Sequence, residues 1–160
     1  MALAIETERL SLRLRDERDA AWYRDLVGER GEDMPTLEEA TARLARFRDL
    51  TTELGIGALT ICRRVEGDAI GYCALIVGRA SLDEPEIAYE LLRRFHGHGY
   101  ATEAARALVA AAAATGRRRL WSTVGPWNTA SLRVLEKVGF HRDHIATDGG
   151  RDIVYLVRDL

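Results

Sequence analysis

Residues 86–101 set a strand-like run, Glu86-Ile-Ala-Tyr-Glu-Leu-Leu, ahead of Arg94-Phe-His-Gly-His-Gly-Tyr-Ala, which opens an alanine-rich helix from Tyr100 to about Thr115. Another strand-like run, Leu120-Trp-Ser-Thr-Val, follows that helix. A strand, a helical crossover and a second strand need a parallel pair, because a tight turn joins only antiparallel neighbours. The loop between strand and helix is also a ready anion cradle. The first N–H groups of a helix have no intrahelical partner, and the helix dipole adds partial positive charge there. Gly97 and Gly99 carry no Cβ, so an anion can approach the main chain and φ can turn positive.

The rest of the chain surrounds that unit with hairpins and helices. Leu10, Leu12 and Leu14 alternate with polar residues, as in a half-buried strand. Asp16 is placed to cap a helix through Ala20, Trp22, Tyr23 and Leu26 that stops before Gly28. After a loop over 28–35, Thr36-Leu-Glu-Glu reads as a capping box, and Leu37, Ala40, Leu44 and Phe47 share one face of a helix to about Leu50. Gly57 to Cys62 and Ala69 to Val77 then read as a hairpin, with 86–92 as the third strand of a meander. A helix from about Thr129 to Val138 and a closing hairpin around Asp148-Gly149-Gly150 complete the chain. The order is β-α-α-β-β-β-α-β-α-β-β: an α/β (α+β-like) single domain over 1–160, with a mixed, mostly antiparallel sheet of about seven strands and about four helices.

Composition narrows the partners. A formal charge of −2 supplies no global field for nucleic acid or an anionic membrane. No stretch approaches the ~18 apolar residues of a spanning helix. The opening Met-Ala-Leu-Ala-Ile-Glu-Thr-Glu has no basic segment before an apolar core, so no signal peptide is expected. Cys62 and Cys73 lack Cys-x-x-Cys spacing and are expected as buried thiols in a reducing compartment, which points to the cytoplasm.

Three stretches resemble the GCN5-related N-acetyltransferase (GNAT) superfamily, in particular its RimJ/RimL-like group of ribosomal-protein N-terminal acetyltransferases. They are Ala88 to Ala104, where Arg94, Gly97 and Gly99 meet the pattern Arg/Gln-x-x-Gly-x-Gly/Ala; Asn128-Thr-Ala-Ser-Leu-Arg-Val-Leu-Glu-Lys-Val-Gly-Phe; and Thr7-Glu-Arg-Leu-Ser-Leu-Arg. The resemblance implies the GNAT fold and acetyl-CoA as cosubstrate, with no metal. It places the pyrophosphate on main-chain N–H groups of His96, Gly97, His98, Gly99, Tyr100 and Ala101, with Arg94 at the mouth. It also implies that strands 86–92 and 120–124 splay, leaving backbone groups of Leu91 and Leu92 for the pantetheine arm, and that Asn128 holds that arm.

Transfer to an amine needs a neutral nucleophile. A peptide α-amine, with pKa about 7.7–8.0, loses its proton more readily than a lysine amine near 10.4. Glu90 is either the base or an ion-pair partner on a half-exposed strand. Glu86, Ala88, Glu90 and Leu92 share a face, so Glu86 is placed to extend a carboxylate or water chain. The N–H of Leu91 or Leu92 is the expected oxyanion donor. Leu135 stands where many relatives carry a tyrosine acid, so the resemblance assigns proton donation to Ser131; locally, Ser131 is also suited to bond free N–H groups of the helix. Tyr89 faces away from Glu90 and is expected to pack in the core, as is Trp121. His96 and His98 line the phosphate loop.

The expected activity is acetyl transfer to a primary amine in a ternary complex, first a protein or peptide N-terminal α-amine, alternatively a small amine such as an amino acid, polyamine or antibiotic. A non-catalytic acyl-CoA-binding sensor is the rival of a different class. The acceptor cleft is expected from residues 16–36, the 78–86 turn and the hairpin near Asp148. A homodimer through the edge of the last strand is a further expectation.

Overall fold

The computed structural model describes residues 4–160. Residues 1–3, which head the segment read as lacking a signal peptide, lie outside the described residues. Among the described residues, eight strands form one sheet in the order β1-β2-β3-β4-β5-β6-β8-β7. They are β1 (Ala4–Glu6), β2 (Leu10–Leu14), β3 (Ala58–Arg63), β4 (Ala69–Ile76), β5 (Glu86–Leu91), β6 (Arg119–Val124), β7 (His141–Asp148) and β8 (Arg151–Asp159). Four α-helices accompany them: α1 (Ala20–Glu29), α2 (Leu37–Leu54), α3 (Tyr100–Ala113) and α4 (Thr129–Lys137). The expected order holds, with β1 added; a three-residue strand is too short to show a period.

The caps behave as their residue types dictate. Asp16 accepts the Arg18 amide at 2.9 Å, and the Asp19 carboxylate accepts the Asp16 amide at 3.1 Å, closing a capping box over a 3-10 turn before α1. Thr36 and Glu39 close a second box at the start of α2. Helix α1 runs through Gly28 rather than stopping before it. Its end comes at Gly31, whose φ of +81° is the left-handed conformation that terminates helices. Helix α2 likewise continues past Leu50 to Leu54, ending before Gly55 at φ +68°. Ala40 and Leu44 are buried as its stripe predicts, but Leu37 and Phe47 stay exposed, Phe47 bordering a cavity beneath the helix.

The core forms between the sheet and helices on both faces. Ala104, Ala105, Leu108, Val109 and Ala112 of α3 are buried, and their small side chains let the helix lie close to β2, β4 and β5. Trp22, Tyr23, Leu26 and Val27 of α1 pack against β4 from the other side. Cys62 and Cys73 are buried free thiols in β3 and β4.

Asp19, fully buried, ties α1 to the sheet. Its oxygens accept from Arg13 at 2.7 and 3.0 Å, the Trp22 indole at 2.7 Å, the Thr60 hydroxyl at 2.7 Å and the Asp16 amide at 3.1 Å. One carboxylate therefore joins β2, β3, the 3-10 turn and α1.

Two expectations need correction. The last strand is not an edge: β8 lies between β6 and β7, so the free edges belong to β1 and β7. Pairing of copies through the last strand is excluded, since both its edges are occupied. Trp121 is only half-buried, because its indole N–H reaches outward to the Glu84 carboxylate at 3.0 Å instead of into the core.

Candidate active site

β5 and β6 meet and then part. Their parallel register consists of Glu86 opposite Trp121, supported by the Trp121 amide donating to Pro85 at 3.0 Å. One residue on, the Ser122 hydroxyl rather than a backbone amide reaches the Ile87 carbonyl, at 3.1 Å. β5 stays paired with β4 along its whole length. The Leu92 amide donates to Ile70 across that ladder at 3.0 Å, so alternation turns the main-chain groups of Tyr89 and Leu91 toward the widening gap. Leu92 is thereby removed as an oxyanion donor, and the Leu91 N–H is the group facing the opening. The Leu91 carbonyl already accepts from the His96 ring Nε2–H at 2.8 Å.

The loop after β5 has the geometry of an anion cradle. Gly97 and Gly99 lie at φ +79° and +81°, and Gly99 is the N-cap of α3 with no side-chain cap hydrogen bond. The opening amides of α3 are thus left for an external acceptor. A Cβ built on Gly97 would meet nothing within 4 Å, which leaves the loop's concave side open. These features fit a pyrophosphate, as acetyl-CoA requires. His96 is the exception among the expected amides, since it donates to Arg93 at 3.0 Å in the turn that precedes the loop. Arg94 is exposed, with its guanidinium 4.9 Å from the Phe95 ring. His98 and Tyr100 lie ring to ring at 5.7 Å.

The turn between β1 and β2 clamps this loop, a function sequence patterning left unread. Glu103, in the first turn of α3, accepts the Thr7 hydroxyl at 2.7 Å, the Arg9 amide at 2.9 Å and the Arg9 Nε at 2.7 Å. Arg9 also donates to the His98 carbonyl at 3.0 Å and covers the Tyr100 ring at 4.8 Å. Thr7 and Arg9, quoted above only as part of the family resemblance, hold the cradle in shape.

Ser131 and Glu90 lie on opposite faces of the sheet. Asn128 caps α4 by accepting the Ser131 amide at 3.1 Å. The Ser131 hydroxyl lies 3.0 Å from the Tyr89 hydroxyl, which also donates to the Ser131 carbonyl at 3.0 Å. Tyr89 is therefore coupled to Ser131 rather than serving only as packing. Burial pushes its pKa up to about 12, partly opposed by the Ser131 hydrogen bond, so it stays protonated at neutral pH. Leu135 is fully buried, consistent with a packing role.

Glu90 faces the α1 side. Arg30, which caps the C-terminus of α1, grips it with Nε at 2.9 and 3.0 Å and with Nη2. The carboxylate strongly raises the Arg30 pKa. Glu29 accepts the Arg93 amide at 2.8 Å, so the end of α1 closes over the end of β5 at two points. Glu86 does not extend from Glu90. It is buried and accepts from Thr123 at 2.8 Å and from the Arg79 amide.

Two cavities flank β5 on the Glu90 side. One, of about 370 Å³, lies between the 79–86 turn, Trp121, His144 and Tyr155. The other, of about 360 Å³, lies beneath α1 and α2, lined by Arg15, Tyr23, Arg30, Phe47, Tyr72 and several aliphatic side chains. The 16–36 and 78–86 segments expected around the acceptor thus border different cavities.

A family model described as the acetyltransferase (GNAT) domain matches residues 9–141. The chain belongs to the GNAT acetyltransferase family. It is an N-acetyltransferase, and GNAT acetyltransferases use acetyl-CoA. This GNAT chain is 27% identical over 150 residues to a Bacillus licheniformis protein described as uncharacterized N-acetyltransferase p20, covering 89% of this chain and 84% of the relative. A crystal structure of an acetyltransferase from Agrobacterium tumefaciens str. C58 is 30% identical, with a TM-score of 0.78 and coverage of 98% and 94%. RimL, a ribosomal L7/L12 α-N-protein acetyltransferase solved with coenzyme A, superposes with a TM-score of 0.80 at 20% identity, covering 98% of both chains. At that identity the likeness to RimL is one of fold. No helix among the described residues is long and apolar enough to cross a membrane.

Proposed function

We propose that this GNAT enzyme transfers acetyl from acetyl-CoA to a primary amine in a ternary complex, with the thioester lying in the gap between β5 and β6. The parting of these strands beside the uncapped start of α3 carries the proposal. Acetyl-CoA supplies an activated acetyl group and a thiolate leaving group. The chain supplies the rest. The α3 amides and the Gly97–Gly99 loop bind pyrophosphate, with Arg94 at the rim. The Asn128 amide and the main chain of Leu91 hold the pantetheine arm, and the Leu91 N–H stabilises charge on the carbonyl oxygen.

The two faces divide the proton chemistry. Glu90 takes the amine proton, directly or through water, on one side of the gap. Ser131 donates toward the sulfur on the other, and the Tyr89 hydroxyl, turning its one proton from the Ser131 carbonyl to the Ser131 Oγ, replaces the proton given up. A thiolate needs less help to leave than an alkoxide, and a partly deprotonated α-amine needs less help to attack, so neither group is asked for a full general-acid or general-base effect. Tyr89→Phe and Glu90→Gln are each expected to lower kcat roughly tenfold while leaving the acetyl-CoA dissociation constant nearly unchanged. An acetyl-CoA affinity that falls in step with kcat would assign both residues to binding instead.

Likeness to RimL supports a protein α-amine as acceptor, the first expectation from sequence. The cavity beneath α1 and α2 supports the small amine: about 360 Å³ lies within the range of small-molecule sites. We favour the small amine on that ground. The deciding experiment is a thiol-release assay over peptides and small amines, with products identified by mass. Stoichiometric acetyl-CoA binding with no thiol release from any amine would turn the proposal into the sensor alternative.

A further inference from the structure

Arg15 lies at the end of the chain leaving β2, only 4% exposed, and it borders the cavity beneath α1 and α2. Three aromatic rings surround its guanidinium, Tyr72 at 4.4 Å, Trp22 at 5.4 Å and Tyr23 at 5.6 Å. Its Nε and Nη2 are buried and have no hydrogen-bond partner. Asp19, the nearby carboxylate, is saturated by Arg13, Trp22, Thr60 and the Asp16 amide. A buried cation with an unused pair of parallel donors is a costly arrangement unless something pairs with it.

The geometry of the unused edge identifies its counterpart. Nε and Nη2 form the side of a guanidinium that receives a carboxylate two-pronged. The same edge of Arg30 grips Glu90, and the same edge of Arg63 grips Asp68 at 2.8 Å through each nitrogen. Arg15 alone of these three lacks its carboxylate. The residues lining the cavity include no Asp or Glu that would fill the role, and Arg30 is already taken by Glu90. The walls otherwise offer Phe47, Leu50, Leu54, Ile56, Leu75 and Val77, an apolar surface suited to a hydrophobic body. In the other cavity, Arg79 is paired with Asp148 at 2.8 Å, so no comparable unpaired guanidinium borders it.

We propose that Arg15 is the anion anchor of the acceptor site, and that the acceptor is an amine whose apolar body carries a carboxylate. The cavity leads from Arg15 past Tyr72, which lies opposite Glu90 in the β4–β5 register, to Arg30, which holds Glu90. An amino acid or amino acid derivative seated there presents its carboxylate to Arg15 and its amine toward Glu90. Neither free nitrogen touches solvent in the resting arrangement. Seating the ligand therefore requires the guanidinium to turn toward the cavity it borders, exchanging an unpaired position for a paired one. A single free guanidinium suits a carboxylate monoanion better than a phosphate dianion, which needs more donors.

The inference rests on the acetyl-transfer proposal for its functional meaning, but its test does not need turnover. Calorimetry of the full chain with 4-phenylbutyrate and with its neutral amide compares the anion with an uncharged body of the same shape. The carboxylate is expected to bind roughly ten- to a hundredfold more tightly than the amide. In Arg15→Met, of similar volume and apolar, that preference is expected to vanish, while the melting temperature equals or exceeds that of the parent because an unpaired buried charge is gone. Equal affinity for acid and amide in the parent protein would overturn the anchor without any variant. So would a preference that survives in Arg15→Met, or inorganic phosphate binding more tightly than the carboxylate. Carboxylate-selective binding with no thiol release from any amine would overturn acetyl transfer and leave the anchor standing. Thiol release from amines with no preference for a carboxylate would do the reverse.

Discussion

In Gly97→Asp, acetyl-CoA affinity is expected to fall roughly a hundredfold or more, whereas Gly97→Asn loses only about tenfold. Position 97 sits at φ +79°, where Asn and Asp are the side chains that best tolerate the left-handed region. A new Cβ would contact nothing within 4 Å, so neither variant meets an internal clash. The two replacements have nearly the same shape. They differ in one negative charge placed where the pyrophosphate is proposed to lie, at the positive end of α3. Calorimetric titration with acetyl-CoA separates the terms: the loss shared by both variants reports crowding, and the extra loss in Asp reports electrostatics. Equal losses in both, or none in either, would remove the loop from pyrophosphate binding.

Asp19→Ala is expected to destabilise the fold by about 3–5 kcal/mol, the range for breaking a buried ion pair that also satisfies other donors. For a chain of this size that corresponds to a fall in Tm of roughly 6–20 °C. The loss strands Arg13, Thr60 and the Trp22 indole together, since all three donate to the one carboxylate. The sign with pH follows from its titration. Burial raises the Asp19 pKa, but the Arg13, Trp22 and Thr60 hydrogen bonds outweigh it, and the net shift is downward. Asp19 therefore contributes stability that is fully present above the unfolded carboxylate value near 3.9 and is lost as pH falls through the lower folded value. Chemical denaturation of parent and Asp19→Asn should show a constant gap from about pH 5 to 8 that narrows below about pH 4. A gap that widens on acidification would mean that Asp19 is protonated in the native protein.

Local signals carried as far as local physics allows. The capping box at Thr36 formed as its residues dictate, because it is complete within four consecutive residues, whereas Asp16, expected to cap α1, closes its box over the 3-10 turn before it. The Asp148-Gly149-Gly150 hairpin formed too, with both glycines at positive φ between β7 and β8. The helix ends were less legible. Gly28 resembled a stop, but the left-handed residue is Gly31, and only φ distinguishes them. Trp121 is expected in the core, whereas its N–H follows Glu84, a partner from the turn before β5, 37 residues earlier in the chain.

The candidate site divides along the same line. Strand alternation put Glu90 and Tyr89 on opposite faces before any coordinates, since a period of two needs no knowledge of what lies across the sheet. What each face meets came only with the assembled fold: Arg30 from the end of α1 for Glu90, and Ser131 from the start of α4 for Tyr89. Those partners are 60 and 42 residues distant along the chain.

By itself the sequence determined the family, the order of the elements after β1 and the glycine loop before α3, all of which are written in short, contiguous patterns. Tertiary structure alone decided which amides of that loop and of β5 are free, that Thr7 and Arg9 clamp the loop, and that Arg15 is buried with an unused edge. These depend on pairing between residues far apart in the chain. An arginine looks the same in sequence whether its carboxylate is present or missing, and only packing reveals which nitrogen has been left without one.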